Sequence, residues 1–120
     1  MATLALPKPV EDYLAAANAH DLDALIATFA PDALVNDARR EFRGMRAIRR
    51  WLAEELIAAK VTKKIGDVRE HYGEVVADVI IDGEFDRTGL PDPVVLTHYF
   101  TVRDGRIVRL IIILNESVRS

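Results

Sequence analysis

The first half of the chain carries apolar residues at helical spacing, and this pattern predicts two consecutive helices. The apolar stripes of the two helices are Val10, Tyr13, Leu14 and Ala17, then Leu22, Leu25, Ile26 and Phe29. Pro9 suits the first turn of the first helix, because its missing N–H would have no partner there. Asp21 is the predicted N-cap of the second helix, and Pro31 predicts its end.

A short extended segment is predicted at residues 33–37, followed by a polar and irregular loop that closes on Gly44. The extended segment ends on a single acidic residue, Asp37, which makes Asp37 the first candidate for chemistry. A third helix is predicted at residues 45–60. Its apolar face comprises Met45, Ile48, Trp51, Leu52 and Leu56.

From Val61 onward apolar and polar residues alternate, and this period of two is typical of strands. The predicted strands cover residues 61–72, 74–86, 94–103 and 106–115. Gly66 indicates a bulge or bend in the first of them. The pair Asp104-Gly105 indicates a hairpin between the last two.

Three helices followed by long antiparallel strands predict one α+β domain over residues 1–120. The last predicted strand is apolar on both faces apart from Arg109. One face can pack on the helices, but the other would be exposed on a monomer. We therefore expect a homodimer through the outer sheet face around Ile111, Ile113 and Tyr99.

Composition and charge narrow the classes of function. The net charge of −3 and the pI near 5.6 give no general attraction to nucleic acid or to an anionic membrane. The chain has no cysteine, which excludes disulfides and thiolate chemistry. The residues at the start of the sequence lead us to expect no signal peptide, and no apolar run is long enough to span a bilayer. A soluble cytoplasmic protein is expected.

The strings YLAAANAHDLDALIATFAPDALVND and RGMRAIRRW resemble the nuclear transport factor 2-like superfamily, in particular its SnoaL-like polyketide cyclases and ketosteroid isomerases. The resemblance covers nearly the whole chain, but this fold hosts enzymes of several kinds and non-enzymatic modules. It implies three N-terminal helices packed on a curved, mostly antiparallel sheet that forms a cone with an internal apolar pocket. The expected pocket-lining residues are Trp51, Leu14, Leu52, Val79, Leu96, Phe100, Leu110 and Ile112.

The resemblance also implies a catalytic trio. Tyr13 matches the isomerase tyrosine that hydrogen-bonds the substrate carbonyl, and Asp37 matches the general base. The isomerases carry a protonated aspartic acid on a later strand as a second donor, whereas the matching strand here, VVLTHYFTV, has no acid. Alignment leaves either Thr97 or His98 at that place. The alternation favours His98, which lies on the apolar face of the strand.

With these residues the protein could abstract a proton next to a carbonyl group, with Asp37 as the base. Tyr13 and His98 would donate hydrogen bonds to the oxyanion that forms. The expected ligand is a small apolar carbonyl compound, and neither a cofactor nor a metal is expected. The same trio could also serve an intramolecular aldol cyclisation, a dehydration or a hydrolysis.

Structural roles remain open for the same residues. Asp37 could cap the following loop or pair with Arg39 or Arg40, while Tyr13 and His98 could be satisfied core residues. The alternative function is therefore a dimeric ligand-binding or interaction module without turnover. The arginine-rich stretch at residues 39–50 indicates a solvated helix face, or a surface that steers anionic ligands.

Overall fold

The computed structural model describes residues 6–72 and 74–115. The elements in this part of the chain are α1 (Lys8–Asn18), α2 (Leu22–Ala27), β1 (Phe29–Asp37), β2 (Arg40–Arg43), α3 (Gly44–Trp51), a π-helical segment (Leu52–Ile57), β3 (Thr62–His71), β4 (Glu74–Asp82), β5 (Val94–Arg103) and β6 (Arg106–Leu114). The strands form a six-stranded sheet in the order β2-β1-β6-β5-β4-β3. Strands β1 and β6 run parallel, and the other neighbours are antiparallel. The predicted α+β class is confirmed.

The core lies between the helices and one face of this sheet. Tyr13 of α1 is fully buried there, with its ring edge-on to Phe29 at 5.8 Å and to Phe100 at 5.6 Å between ring centres. Aromatic rings favour this edge-to-face arrangement because the positive edge of one meets the negative face of the other. The contacts fix α1 across strands β1 and β5.

Phe29 opens β1 instead of extending the second helix, so the predicted end of that helix is wrong. The backbone N–H of Ile107 in β6 donates to the carbonyl of Thr28 at 2.8 Å, which starts the sheet here. Pro31 consequently lies inside β1 rather than at a helix end. The pairing of β1 with β6 shifts register around Pro31, and such an irregularity accommodates a residue that has no N–H to donate.

Asp21 caps α2 as predicted, because its Oδ1 accepts a hydrogen bond from the backbone N–H of Ala24 at 3.1 Å. We expect Asp21→Ala to lower the free energy of unfolding by about 1 kcal/mol, since one N–H of the first turn then loses its partner. The matched control is Asp23→Ala, which removes an acid from the same turn whose side chain is 90% exposed. Urea denaturation would measure both variants, and equal losses would contradict a specific capping role.

The loop predicted after Asp37 is instead a hairpin. Ala38 and Arg39 both have positive φ, at 55° and 70°, and join β1 to β2 with Asp37 paired to Arg40. Turns with positive φ at both central residues usually contain Asn or Gly. Ala38 and Arg39 are neither, so the sequence did not indicate a hairpin here. Its consequence is that Arg40 lies directly beside Asp37.

The third helix begins close to the predicted start but is not one regular helix. α3 ends at Trp51 and continues as the π-helical segment. Short π-helical stretches occur often at functional sites, because the wider turn changes which side chains face a given direction. Trp51 and Glu55, on either side of this change, both face the cavity described below.

Two irregularities shape the long strands. The β3–β4 pairing shifts register between Ile65 and Val68, which confirms the bulge predicted at Gly66. The β5–β6 pairing shifts just before Val102. Because a bulge reverses the alternation of faces, Ile107 is fully buried, although strict alternation along β6 would place it on the same face as Arg109 and Ile111.

Strand β4 ends at Asp82, earlier than predicted, because the next residue approaches the backbone that precedes β3. Gly83 has a φ of 147°, and a Cβ on it would stand 2.9 Å from the carbonyl oxygen of Ala59. The backbone leaves the sheet here. Phe85, predicted to lie within the strand, instead contributes to the cavity wall.

Candidate functional site

A cavity of about 480 Å³ lies between the sheet and the helical segment that follows β2. This volume falls in the range that suits a small-molecule ligand. Most of its wall is apolar, with Leu56, Val94 and Leu114 among the lining residues. The charged side chains on the wall are Asp37, Arg40, Glu55, Lys63 and Asp86.

Some of the residues predicted for the site line this cavity and others lie behind it. The predicted residues on the wall are Asp37, Trp51, Leu96 and Ile112. The predicted lining residues Leu14, Leu52, Val79, Phe100 and Leu110 are instead buried in the core and do not belong to the wall. They fill the space between the helices and the sheet, which is a packing role.

Asp37 is positioned by the end of β1 and by the hairpin, with its side chain 19% exposed. Its Oδ2 accepts one hydrogen bond from Nε1 of Trp51 at 3.0 Å and another from Nη2 of Arg40 at 3.1 Å. Of the two arginines considered as ion-pair partners, Arg40 is the one in contact. Oδ1 accepts no hydrogen bond from the described part of the chain, so this oxygen is available to a ligand.

Arg40 is itself held by Glu55 of the π-helical segment. Its two terminal nitrogens donate to the two carboxylate oxygens of Glu55, both at 2.7 Å. Such a paired arrangement matches the planar guanidinium to the planar carboxylate. The hydrogen bonds to Glu55 are the main reason that the pKa of Arg40 is raised. Asp37, Arg40 and Glu55 therefore form a row of alternating charge at the exposed edge of the cavity.

Lys63 is a cavity residue that the sequence-based prediction lacked. Its side chain lies on the wall and the residue is only 4% exposed. Val61 and Lys63 are buried, whereas Thr62 and Lys64 are exposed. The alternation that starts at Val61 could have identified Lys63 as an inward-facing residue, because it places Lys63 on the same face as Val61.

Contacts from two other elements hold Lys63 in place. Asn18 at the end of α1 donates from Nδ2 to the Lys63 carbonyl at 2.9 Å and accepts from the Lys63 N–H at 2.6 Å. The Lys63 Nζ lies 2.8 Å from Nε2 of His98 and 5.5 Å from the centre of the Tyr13 ring. We call Tyr13, Lys63 and His98 the inner polar cluster.

Burial sets the charge state of this cluster. It lowers the pKa of Lys63 from 10.5 to about 7, with the negative charge of Asp37 acting in the opposite direction. Burial, followed by the positive charge of Lys63, holds the pKa of His98 well below 6.5. Since Nδ1 of His98 lies 3.0 Å from the carbonyl of Leu96, Nδ1 carries the proton and Nε2 accepts from Lys63.

The hydroxyl of Tyr13 is buried and has no hydrogen-bond partner within the described residues. Burial first, and then the charge of Asp37, raise the pKa of Tyr13 above its ordinary value of 10.0, so the group is a neutral donor at physiological pH. Buried polar groups almost always have a partner. An oxygen of a ligand or of an ordered water would satisfy this one.

His98 and Thr97 lie on opposite faces of β5. His98 is fully buried on the inner face, 5.7 Å from Phe100 between ring centres. The Thr97 hydroxyl donates to Oδ1 of Asp78 at 2.9 Å on the other face. Both ring nitrogens of His98 are engaged, so the cluster presents Lys63 rather than His98 to the cavity.

The arginine-rich stretch is partly neutralised by acids around it. Arg50 pairs with Glu54 at 3.2 Å and Arg49 with Asp23 at 4.0 Å, all with exposed side chains. Exposed pairs of this kind contribute little stability.

In residues 6–72 and 74–115, no three His, Asp or Glu side chains gather as ligands for a metal ion. None of the helices described above has the length and apolar character needed to cross a membrane.

The sequence matches one protein-family model, described as a SnoaL-like domain, over residues 10–110. A solved structure from Sinorhizobium meliloti, provisionally described as a polyketide cyclase, is 37% identical to this chain. It superposes with a TM-score of 0.79, covering 89% of this chain and 94% of the other. No curated protein matches the sequence.

More distant structures share the fold alone. A Mycobacterium tuberculosis protein is 16% identical with a TM-score of 0.78, covering 97% of this chain and 96% of its own. SalBIII, described as an epoxide hydrolase/cyclase-like enzyme in pyran ring formation of the polyether salinomycin, is 18% identical with a TM-score of 0.77. That match covers 92% of this chain and 90% of SalBIII.

Proposed function

Because this chain belongs to the SnoaL-like domain family, we propose that it is a cofactor-independent enzyme of the isomerase or cyclase type. It would bind a small apolar carbonyl compound and abstract a proton from the carbon next to the carbonyl group. The observation that carries the proposal is the state of Asp37 on the cavity wall. Two donors fix one carboxylate oxygen, and the other oxygen is free to act as a base.

The inner polar cluster supplies the other half of the mechanism. Proton abstraction places negative charge on the carbonyl oxygen, and fixed donors in a water-poor site stabilise that charge strongly. The unpartnered Tyr13 hydroxyl is one such donor. An N–H of Lys63 is the second, in the role first predicted for His98, while His98 holds Lys63 through Nε2.

The same arrangement serves ring closure as well as isomerisation. The carbanion that Asp37 creates can attack a second carbonyl of the same ligand, which is an intramolecular aldol reaction. The Sinorhizobium meliloti relative, provisionally described as a polyketide cyclase, supports a reaction of this class. The apolar wall would favour a ligand with a hydrocarbon or aromatic body.

The test is proton exchange with solvent. Wild-type protein would be incubated in D₂O with a panel of cyclic ketones and 1,3-diketones, and deuterium at the α-carbon would be followed by NMR. Binding would be followed separately by tryptophan fluorescence, because Trp51 is the single tryptophan and lines the cavity. Ligands that change this fluorescence but exchange no faster than in buffer would overturn the enzymatic proposal.

One observation favours the alternative, a ligand-binding module without turnover. The ion pair of Asp37 with Arg40, which Glu55 reinforces, engages one carboxylate oxygen and holds the side chain at the exposed edge of the cavity. Arg40→Gln separates the two functions. If Arg40 only orients the base of an enzyme, its loss lowers the exchange rate; a binding module shows no exchange with or without Arg40.

We further propose that a second copy of the chain covers the outer face of β5 and β6. Tyr99 and Ile111 are paired across these strands, and Ile113 next to them is 51% exposed. We expect the wild type to be a dimer and Ile113→Lys to be a monomer, because a buried charge without a partner is costly. Light scattering after gel filtration would measure this. Tyr72→Lys, at a side chain that is 95% exposed, is the control that should stay dimeric.

A further inference from the structure

We propose that Lys63 binds carbonyl ligands covalently, through an imine between Nζ and the ligand's carbonyl carbon. This inference rests on the proposed function only for the class of ligand, a small apolar aldehyde or ketone. It assigns to Lys63 a bond-forming role that proton abstraction by Asp37 does not require. Three features of the cavity and of the buried residues behind its wall support it.

The first feature is the place of Lys63. Its side chain is buried and lines an otherwise largely apolar wall, whereas the neighbouring Lys60 and Lys64 are exposed and do not line the cavity. An amine in such surroundings is a better nucleophile than one in water, because it is not covered by solvent. The strand and the Asn18 hydrogen bonds fix its position.

The second feature is the contact of Nζ with His98. Nε2 of His98 accepts a hydrogen bond from the amine at 2.8 Å, while Nδ1 is tied to the Leu96 carbonyl at 3.0 Å. This neutral imidazole can take a proton from the nitrogen after attack. The third feature is the unpartnered Tyr13 hydroxyl, which can donate to the oxygen of the ligand.

The charge state of Lys63 suits the reaction. Its pKa of about 7 leaves a large part of the amine uncharged at neutral pH, whereas about one exposed lysine in a thousand or fewer is uncharged there. The groups that face it are Asp37 from β1, His98 from β5 and Tyr13 from α1. The other charged groups of the cavity are Arg40, Glu55 and Asp86.

The chemistry balances without a cofactor. The Nζ lone pair forms a bond to the carbonyl carbon, and the π electrons of the carbonyl move to oxygen. One proton passes from nitrogen through Nε2 of His98 to that oxygen, which gives a neutral carbinolamine. The oxygen takes a further proton from a solvent water molecule, which becomes hydroxide, and leaves as water, while the nitrogen lone pair forms the C=N bond. The product is a protonated imine, whose positive nitrogen would make the adjacent C–H more acidic for Asp37.

The test is reductive trapping. Wild-type protein would be incubated with cyclohexanone or benzaldehyde and sodium cyanoborohydride at pH 7, then digested and analysed by mass spectrometry. We expect a mass gain equal to the ligand less one oxygen atom, and labelling of Lys63 at least ten times faster than of Lys64. Lys64 is the matched control, because it is the next residue on the same strand and faces outward. Equal labelling of the two lysines would overturn the inference.

Failure of the inference can be told apart from failure of the proposed function. Asp37→Asn should lose proton exchange but keep trapping at Lys63. Exchange in the wild type without trapping would overturn the covalent step alone. Trapping without exchange would support the covalent step and overturn the proposed function. Because the decisive readout is made on wild-type protein, a Lys63 variant that fails to fold would not affect it.

The role of His98 as the hydrogen-bond acceptor of the Lys63 amine has its own readout. His98→Leu removes the acceptor of the Lys63 N–H, which destabilises the charged amine. The pH at which trapping at Lys63 reaches half its maximal rate should then move downward. His98→Gln keeps an oxygen acceptor and should shift it less. An unchanged pH profile in both variants would overturn this role for His98.

Discussion

Asp37→Asn is expected to lower the rate of α-proton exchange by about 10²–10⁴-fold, the usual contribution of a positioned general base. Asparagine has nearly the same shape, and its side-chain oxygen can still accept from Trp51 and Arg40. It cannot take up a proton at neutral pH. The substitution therefore removes the chemistry while the surrounding wall stays in place, and the exchange rate in D₂O measures the loss.

Asp32→Asn is the matched control for this substitution. Asp32 lies on the same strand, β1, but is exposed and does not line the cavity. We expect it to exchange at the wild-type rate. Ligand affinity, read from Trp51 fluorescence, should change little in either variant. An Asp37→Asn protein that still exchanges protons within threefold of the wild type would exclude Asp37 as the base.

The free energy of unfolding is expected to rise by about 3 kcal/mol between pH 7 and about pH 9.5 on account of Lys63. The folded-state pKa of Lys63 is about 7 against an ordinary 10.5, so between these values the unfolded chain binds more protons than the folded one. The Lys63 penalty on stability is complete below about pH 7 and disappears as the pH approaches 10.5. Urea denaturation across this range measures the slope.

Lys63→Met should remove most of this slope, and Lys64→Met should leave it unchanged because Lys64 is exposed. Two other buried groups limit the pH range over which the free energy of unfolding rises. The pKa of Tyr13 is raised, so Tyr13 favours unfolding once the pH exceeds 10. The pKa of His98 lies below 6.5, so His98 favours unfolding as the pH falls below 6.5. A wild-type protein with a flat profile from pH 7 to 9.5 would contradict the buried position of the Lys63 amine.

The parts of the fold that follow a strong period could be predicted from the sequence. The alternation in β4, in β5 as far as Thr101 and in β6 from Arg109 onward depends on local sequence, as the Asp21 cap does, so one stretch of chain contains all the information. The end of α2 could not be predicted in this way. Phe29 fits the helical stripe, but the preceding residue, Thr28, accepts a hydrogen bond from the backbone of β6, and this contact begins the sheet. The β6 partner is distant in sequence, so the residues around Phe29 do not reveal it.

The candidate site shows the same division. Asp37 could be found because it ends a short extended segment and matches a family position. Its pairing with Arg40 depends on the turn at Ala38 and Arg39, which use a backbone conformation that their residue types do not favour. Lys63 could have been found from the alternation after Val61. Its contact with His98 joins β3 to β5 across the intervening β4, and no local pattern contains it.

The parallel pairing of β1 with β6 has a consequence for the order in which the protein folds. During synthesis β1 leaves the ribosome early and can pair with β2 at once. Its other edge stays unpaired until β6 has been synthesised. Contacts between such distant segments form slowly, because a long loop must close before they contribute. The nascent N-terminal half therefore carries an unpaired strand edge, a known source of aggregation. Asp37 pairs with Ile112 of β6, so its backbone is fully fixed only after β6 has been synthesised.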